Sequence, residues 1–354
     1  MIEHSHHIDR DTAAFALALL RGGTPSLPGE RAAPRIAEGL RRSGLTAIVL
    51  GRLPAGAAPE ALRASLEAER SRLRADLALL YDRFSRLATL LDGVGVPFIL
   101  LKGGALAPLL YESPELRPMV DVDLLIRRSD WPAARDAMQR DGYSLPGEPD
   151  QAYWLANYFN LAVSSPEPGP VHFDIHWSLA QPIRYRVDVD GLWARAAPLV
   201  VEGRPGLRLG NEDLLLSLIL HLAYHYFDAR LLWLYDIHRL CRKVPIDWDA
   251  AARRSRQWGM RTVFGLGLSY VEKVFPGSVP AEVLRAAAAG PIRRVLLAPL
   301  RSGEVERLFR GDDRRVAQLV QGLLVMDRPL VAARFGLDKI ARRVRFLGAR
   351  PRLR

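Results

Sequence analysis

Apolar residues recur at helical spacing through the first quarter of the chain. Between residues 58 and 91 they lie three, four or seven positions apart, which places them on one face of a helix: Leu62, Leu66, Leu73, Leu77, Leu80 and Phe84. The pair Asp92-Gly93 ends this pattern. We therefore predict an N-terminal helical region over residues 1–92.

The pattern changes in the middle of the chain, where short apolar runs and the alternation of apolar with polar residues predict strands. The predicted strands cover residues 97–101, 120–126, 153–163 and 171–177. Two helices are expected among them, one beginning at the Gly104 turn and one over residues 131–141. Residues 164–170 are rich in Ser, Pro and Gly, which predicts a turn between two antiparallel strands.

Helical spacing returns after residue 210. Asn211 is expected to cap a helix over residues 212–227, and further helices are predicted over 231–243, over 248–258 and onward to about residue 328. We therefore predict an α+β protein in four parts. These are the helical region over 1–92, an α/β core with a small mixed sheet over 93–208, a C-terminal helical domain over 209–328 and an arginine-rich tail over 329–354.

Composition indicates the cellular compartment of the protein more than its function. The apolar fraction of 49% and the charged fraction of 25% are those of an ordinary globular protein. The single cysteine, Cys241, excludes an intrachain disulfide, and the polar first residues lack the apolar core of a signal peptide. The apolar run over residues 214–227 is too short to cross a bilayer. We therefore expect a cytoplasmic protein.

The net charge of +11 comes almost wholly from arginine, because the chain has only four lysines: Lys102, Lys243, Lys273 and Lys339. A basic surface attracts nucleotides, nucleic acid or anionic lipid. A solvated surface that reflects a biased composition explains the charge equally well. The lysine beside the Gly103-Gly104 turn is different, because a slim point charge there suits a phosphate.

Three aspartates on two predicted strands carry the candidate chemistry. Asp121 and Asp123 are two residues apart, so they point to the same face of their strand. Two adjacent carboxylates repel each other unless a cation lies between them, and hard divalent cations prefer such oxygen ligands. On a later strand Asp174 shares one face with His172 and His176.

These motifs together resemble a bacterial family of uncharacterised nucleotidyltransferases with the polymerase-beta type of fold. The resemblance rests on Lys102-Gly-Gly-Ala-Leu, Tyr111, Arg117-Pro-Met, Asp121-Val-Asp and Asp174-Ile-His-Trp, and it extends to His221, His225, Trp233, Asp236 and residues 246–248. It implies a small mixed sheet of nucleotidyltransferase type flanked by helices. The superfamily usually has Gly-Ser at the turn, whereas this chain has Gly103-Gly104, so a serine contact to phosphate is missing.

The resemblance also implies roles for the site residues. Asp121 and Asp123 would bridge two Mg²⁺ or Mn²⁺ ions, and Asp174 would hold the ion nearer the acceptor and help to remove its proton. The nucleotide, expected to be ATP, would be bound by the turn and by nearby cations: Lys102, Gly103, Gly104 and Arg117. Backbone N–H groups at the start of the following helix suit the phosphates.

Each of these assignments has a structural alternative. The alternative for Asp121 and Asp123 is a cap and a surface acid at a strand end, and that for Asp174 is a structural acid paired with Arg117. Arg117 is alternatively a structural ion-pair partner, and Lys102 a solvated loop residue. His172 and His176 either orient the acceptor or are half-buried structural histidines. His221 and His225, one helical turn apart, suit a metal, but no third ligand is evident, so packing or lining of the cleft is favoured. Asp236 is expected to pair with one of them.

Three functions from different classes follow from this reasoning. The favoured one is transfer of an NMP group from an NTP to a hydroxyl of a small molecule, peptide or protein. The second is a regulatory module, such as a nucleotidyltransferase-fold antitoxin that acts on a partner protein. The third is association of the arginine-rich tail with nucleic acid or an anionic membrane surface, which would be steeply salt-dependent for nucleic acid.

Overall fold

The computed structural model describes residues 8–25, 30–56, 58–167, 169, 171–225, 230–287 and 326–327. Within these ranges the chain forms thirteen α-helices and one six-stranded mixed sheet. No described helix combines the length and the apolar character needed to span a bilayer. The predicted tail over 329–354, and nearly all of the segment 288–328 where further helices were predicted, lie outside the described residues.

Four helices form the N-terminal part: α1 (Arg10–Leu20), α2 (Ala33–Ser43), α3 (Thr46–Arg52) and α4 (Glu60–Gly93). Asp9 caps α1 by accepting hydrogen bonds from the backbone N–H groups of Asp11 and Thr12. The helix predicted over 58–91 is confirmed as α4, which buries Leu62, Leu66, Leu77, Leu80 and Phe84. The division of the chain into four domains remains a prediction.

The middle of the chain forms β1 (Ile99–Leu100), α5 (Lys102–Leu110), β2 (Asp121–Leu125), α6 (Trp131–Arg140), α7 (Glu148–Asn157), β3 (Asn160–Ser164), β4 (His172–His176), α8 (Val189–Ala194), β5 (Ala197–Val201) and β6 (Arg204–Arg208). The strands lie in the order β3-β4-β2-β1-β6-β5. Strands β2 and β4 are parallel neighbours, and β3 is antiparallel to β4, as the predicted turn between them requires.

One prediction for this region is wrong in detail, and one element was not predicted. The strand predicted over 153–163 begins only at Asn160, because its first half belongs to α7, where Trp154 packs its ring 4.2 Å from that of Tyr158. A short apolar and aromatic run is compatible with either structure, and tertiary packing decides between them. The β5–β6 hairpin was missed, although its Glu202-Gly203 turn has positive φ at both residues, as a two-residue hairpin turn requires.

The C-terminal part consists of α9 (Asn211–Tyr224), α10 (Leu231–Lys243), α11 (Trp248–Gln257), α12 (Arg261–Val274) and α13 (Ala281–Ala287). Asn211 does not cap α9 as predicted, because the cap position is Gly210. The Asn211 side chain instead donates a hydrogen bond to the carbonyl oxygen of Pro245 and accepts one from Arg208. It therefore joins the sheet to the loop before α11.

The two faces of the sheet belong to two different hydrophobic cores. One face packs on the C-terminal half of α4 and on α6, and contributes Val122, Leu124, Phe173 and Ile175. The opposite face contributes Ile99 and Leu125 to a larger core that also contains the N-terminal and C-terminal helices. Because side chains alternate along a strand, Asp121 and Asp123 share the face of Leu125. The acids therefore lie on the face of the sheet that the C-terminal helices cover.

Removal of the Phe173 side chain tests this two-core arrangement. Phe173 is fully buried in the middle of β4, so Phe173→Ala should lower the free energy of unfolding by about 3 to 5 kcal/mol, measured by urea denaturation. Val120 directly precedes β2 and is 79% exposed, so Val120→Ala is a matched control with little expected effect. Equal losses in the two variants would contradict the packing described here.

Candidate active site

The register between β2 and β4 brings the candidate acids together. Asp123 lies directly opposite Asp174, and Asp121 lies opposite His172, two residues earlier on the same face. Asp123 is only 4% exposed, whereas Asp121 and Asp174 are half-buried. Asp123 and Asp174 are 51 residues apart in the sequence (174 − 123), so only the pairing of their strands makes them neighbours.

Two cationic or polar groups converge on one oxygen of Asp123. The Lys102 ammonium lies 2.5 Å from Asp123 Oδ1, and His176 Nε2 lies 2.9 Å from the same oxygen. Burial alone would raise the pKa of Asp123, but the charges of Lys102 and the hydrogen bond from His176 hold that pKa well below its usual range. Asp123 is therefore an ionised carboxylate at neutral pH.

The pKa of Asp121 shifts in the opposite direction from that of Asp123. Burial and the neighbouring charge of Asp123 raise the pKa of Asp121 to about 6. The charge of Lys102 opposes this rise without cancelling it. The pair therefore has more negative charge than the local cations compensate, which is the electrostatic condition that favours binding of a further cation.

The closest potential metal ligands in the described residues are Asp123, Asp174 and His176. Each offers one ligand atom, and these atoms lie within 4.8 Å of one another. The carboxylate oxygens suit Mg²⁺ and Mn²⁺, and the imidazole nitrogen suits first-row transition-metal ions. The residues therefore fit a divalent cation, and Asp121 lies beside this group rather than within it.

His176 is buried beside Asp123, although its sequence pattern left its role open. It is 2% exposed, and its Nδ1 atom has no hydrogen-bond partner among the described residues. The Phe159 ring packs against it at a tilt of 49°, with ring centres 5.7 Å apart. His172, on the same strand, is exposed and hydrogen-bonds to Ser164, so the structure does not bring it into the group around Asp123.

The turn between β1 and α5 places Lys102 and the two glycines. Lys102 has φ +40°, a left-handed conformation that is uncommon for a residue with a side chain. A Cβ atom on Gly104 would lie 2.9 Å from Leu100, and one on Gly103 would lie 3.2 Å from Met119. The glycines therefore let α5 approach β1 and the segment before β2. This packing role was not predicted from the sequence, which indicated only a contact of the glycines with phosphate.

Arg117 proves to be a member of a buried ion pair. Its Nε atom donates to both carboxylate oxygens of Asp236 at 2.9 Å, and the Tyr111 hydroxyl donates to the same carboxylate at 2.7 Å. The side chains of Arg117 and Asp236 are 8% and 1% exposed. The partner of Arg117 is therefore not Asp174, and Asp236 does not pair with His221 or His225 as predicted.

A group of rings lies on the helical side of the site. The ring centres of His221 and His225 are 4.7 Å apart, and those of His221 and Trp233 are 4.5 Å apart. Burial, together with the nearby charge of Lys102, lowers the pKa of His221 well below its usual value, so this ring is neutral. In the part of the chain that the structure describes, these histidines belong to no group of three metal ligands, which supports packing rather than zinc.

Arg230 is a basic residue of the site that the sequence analysis missed. It directly precedes α10, and its guanidinium carbon lies 5.6 Å from the centre of the Trp233 ring. Burial and the charge of Arg117 lower the pKa of Arg230, whereas the charge of Asp121 opposes that change. No local motif marks this arginine among the many others in the chain.

A mixed sheet that holds paired aspartates opposite a third, with a glycine turn leading into a helix, is the arrangement expected of a nucleotidyltransferase. The chain belongs to the family described as uncharacterised nucleotidyltransferase, whose model matches residues 30–276. This membership supports a transferase activity with a nucleoside triphosphate as substrate. No curated protein and no solved structure matches the chain significantly.

The buried ion pair makes a first testable prediction for this site. Asp236→Asn leaves the Arg117 charge buried without a carboxylate, so it should lower the free energy of unfolding by about 3 to 5 kcal/mol. Urea denaturation measures this loss. Asp92→Asn removes the carboxylate that pairs with Arg204 at the surface, where Asp92 is 61% exposed, and serves as the control with a much smaller loss.

The raised pKa of Asp121 makes a second prediction. In the unfolded chain an aspartate titrates near pH 4, so between about pH 4 and pH 6 the folded protein binds the extra proton and loses stability as the pH rises. In the presence of a chelator, Asp121→Asn should therefore stabilise the protein by roughly 1 to 3 kcal/mol at pH 8. The two proteins should differ little below pH 4, and an equal difference at both pH values would contradict the assignment.

Proposed function

We propose that the protein is a divalent-metal-dependent nucleotidyltransferase that transfers an NMP group from an NTP, expected to be ATP, to a hydroxyl group of an acceptor. The observation that carries this proposal is the register of β2 and β4, which sets Asp123 opposite Asp174 with Asp121 on the same face. Membership in the nucleotidyltransferase family supports the same reaction class. Repulsion between buried carboxylates is unfavourable for folding, which favours a role in binding a cation over a purely structural one.

The reaction is an in-line displacement at the α-phosphorus. A bond forms between the acceptor oxygen and the α-phosphorus, the bond to the bridging oxygen of the β-phosphate breaks, and pyrophosphate leaves. When bound, divalent cations make the acceptor hydroxyl more acidic and compensate the charge of the leaving pyrophosphate. Asp123, Asp174 and His176 would hold one such ion, and Asp121 would complete its surroundings or those of a second.

The charge and exposure of the other side chains indicate their roles in the reaction. Asp121 has a raised pKa, and a bound cation would favour its ionised form. Asp174 is half-buried at the edge of the group, a suitable position for accepting the hydroxyl proton of the acceptor. Lys102 and Arg230 are the described cations that would meet the phosphates, since the ion pair with Asp236 occupies Arg117.

Label transfer tests the proposal. The purified protein is incubated with Mg²⁺ or Mn²⁺, each of the four α-labelled NTPs, and candidate acceptors that include sugars, peptides and the protein itself. Asp123→Asn should reduce labelling on the order of 100-fold or more, as the loss of a group that stabilises the transition state does in other enzymes. Asp76 is exposed on α4, far along the chain from the site, so Asp76→Asn should label normally.

The proposal is wrong if the wild-type protein labels no acceptor with any of the four NTPs, or if Asp123→Asn labels as fast as Asp76→Asn. Thermal denaturation of both variants shows that a loss of labelling does not reflect unfolding.

A further inference from the structure

Lys102 lies where a cation is expected. Its ammonium nitrogen is 2.5 Å from Oδ1 of Asp123, a residue whose carboxylate belongs to the group of potential metal ligands. Asp121 and Asp174 also attract the same ammonium. An ammonium ion is a compact point charge on a flexible stem, so it can compensate a group of carboxylates much as a metal ion does.

The backbone at Lys102 shows that this position is held under strain. Lys102 and Glu202 are the described non-glycine residues with positive φ, and Glu202 lies in a hairpin turn where this conformation is expected. Lys102 instead begins a helix, and the glycine that would accept φ +40° without cost follows it in the chain. Strained residues of this kind persist where the surroundings fix them, and here the ion pair with Asp123 does so.

Contact distances make the ammonium and a metal ion competitors for the Asp123 carboxylate. Divalent ions bind carboxylate oxygens at about 2.0 to 2.2 Å. His176 Nε2 already takes one direction of approach to Asp123 Oδ1, and Lys102 takes another. Two cations on the same oxygen would also repel each other strongly on a buried sheet face. A metal ion bound at Asp123 Oδ1 therefore requires the ammonium to move.

We propose that Lys102 is an internal cation that occupies the Asp123 site in the absence of substrate and moves onto the phosphates of an incoming nucleoside triphosphate. The proposal rests on the proposed function, because the triphosphate supplies the anionic oxygens that make the move favourable. Its consequence is that metal and triphosphate bind cooperatively, each strengthening the other by the same factor. A free divalent ion without nucleotide binds weakly, since it must displace Lys102 with no other anion to receive it.

The test measures metal and nucleotide binding separately. Electron paramagnetic resonance gives the affinity for Mn²⁺ without nucleotide, and calorimetry gives the affinity for a non-hydrolysable ATP analogue at saturating Mn²⁺. Lys102→Met should bind Mn²⁺ alone more tightly, roughly 5- to 150-fold, and should bind the analogue more weakly because the contact to phosphate is lost. A lysine that only binds phosphate would change the second affinity and leave the first unchanged.

Two further variants keep the test independent of folding. Lys102→Gly removes the ammonium and accepts the positive φ, so it should reproduce both shifts even if Lys102→Met unfolds. Lys273→Met removes an exposed lysine on α12 and should change neither affinity. Unchanged or weaker Mn²⁺ binding in Lys102→Gly overturns the inference, and the proposed function then survives if the wild-type protein labels an acceptor. A wild-type protein that binds neither Mn²⁺ nor the analogue overturns both.

Discussion

Repulsion between carboxylates on a buried sheet face is the constraint on which the candidate site depends. Strands β2 and β4 run in parallel with Asp123 opposite Asp174, and β2 adds Asp121 on the same face. Water is largely excluded from Asp123, so its charge must be compensated by the protein itself. Lys102 and His176 do this at a single oxygen, and Asp121 retains a raised pKa. The fold thus holds a concentration of negative charge that a divalent cation would relieve.

A second buried charge pair holds α10 against this face of the sheet. Arg117 lies just before β2, and Asp236 lies on α10. Their contact, completed by Tyr111 at the end of α5, links the sheet to the helix that also provides Trp233. This ion pair therefore joins the segment before β2 to the helix that carries Trp233. Arg117 contributes to the site by holding these elements together, since its guanidinium donates hydrogen bonds to Asp236 and to the carbonyl oxygen of Pro118.

Local patterns were sufficient for much of the fold. The long α4, α10, and the strands around Asp121 and Asp174 have strong periodicity and clear ends, and the structure confirms them. Errors arose where local signals were weak or ambiguous. Residues 153–157 suit either a strand or a helix, and the packing of Trp154 on Tyr158 accompanies the helix. Asn211 is a residue type that often caps helices, but its side-chain amide instead hydrogen-bonds to Arg208 and to the carbonyl oxygen of Pro245.

Local sequence patterns were enough to predict the fold class, the paired aspartates on one strand face and the shared face of Asp174 with His176, because alternation along a strand is a local property. It also supported membership in a nucleotidyltransferase family, which the family match establishes. Tertiary structure alone decided the partners: Asp236 for Arg117, Asp123 for both Lys102 and His176, and the place of Arg230 over Trp233. These contacts join residues distant in the chain, and their choice depends on strand register and helix packing, which no local pattern encodes.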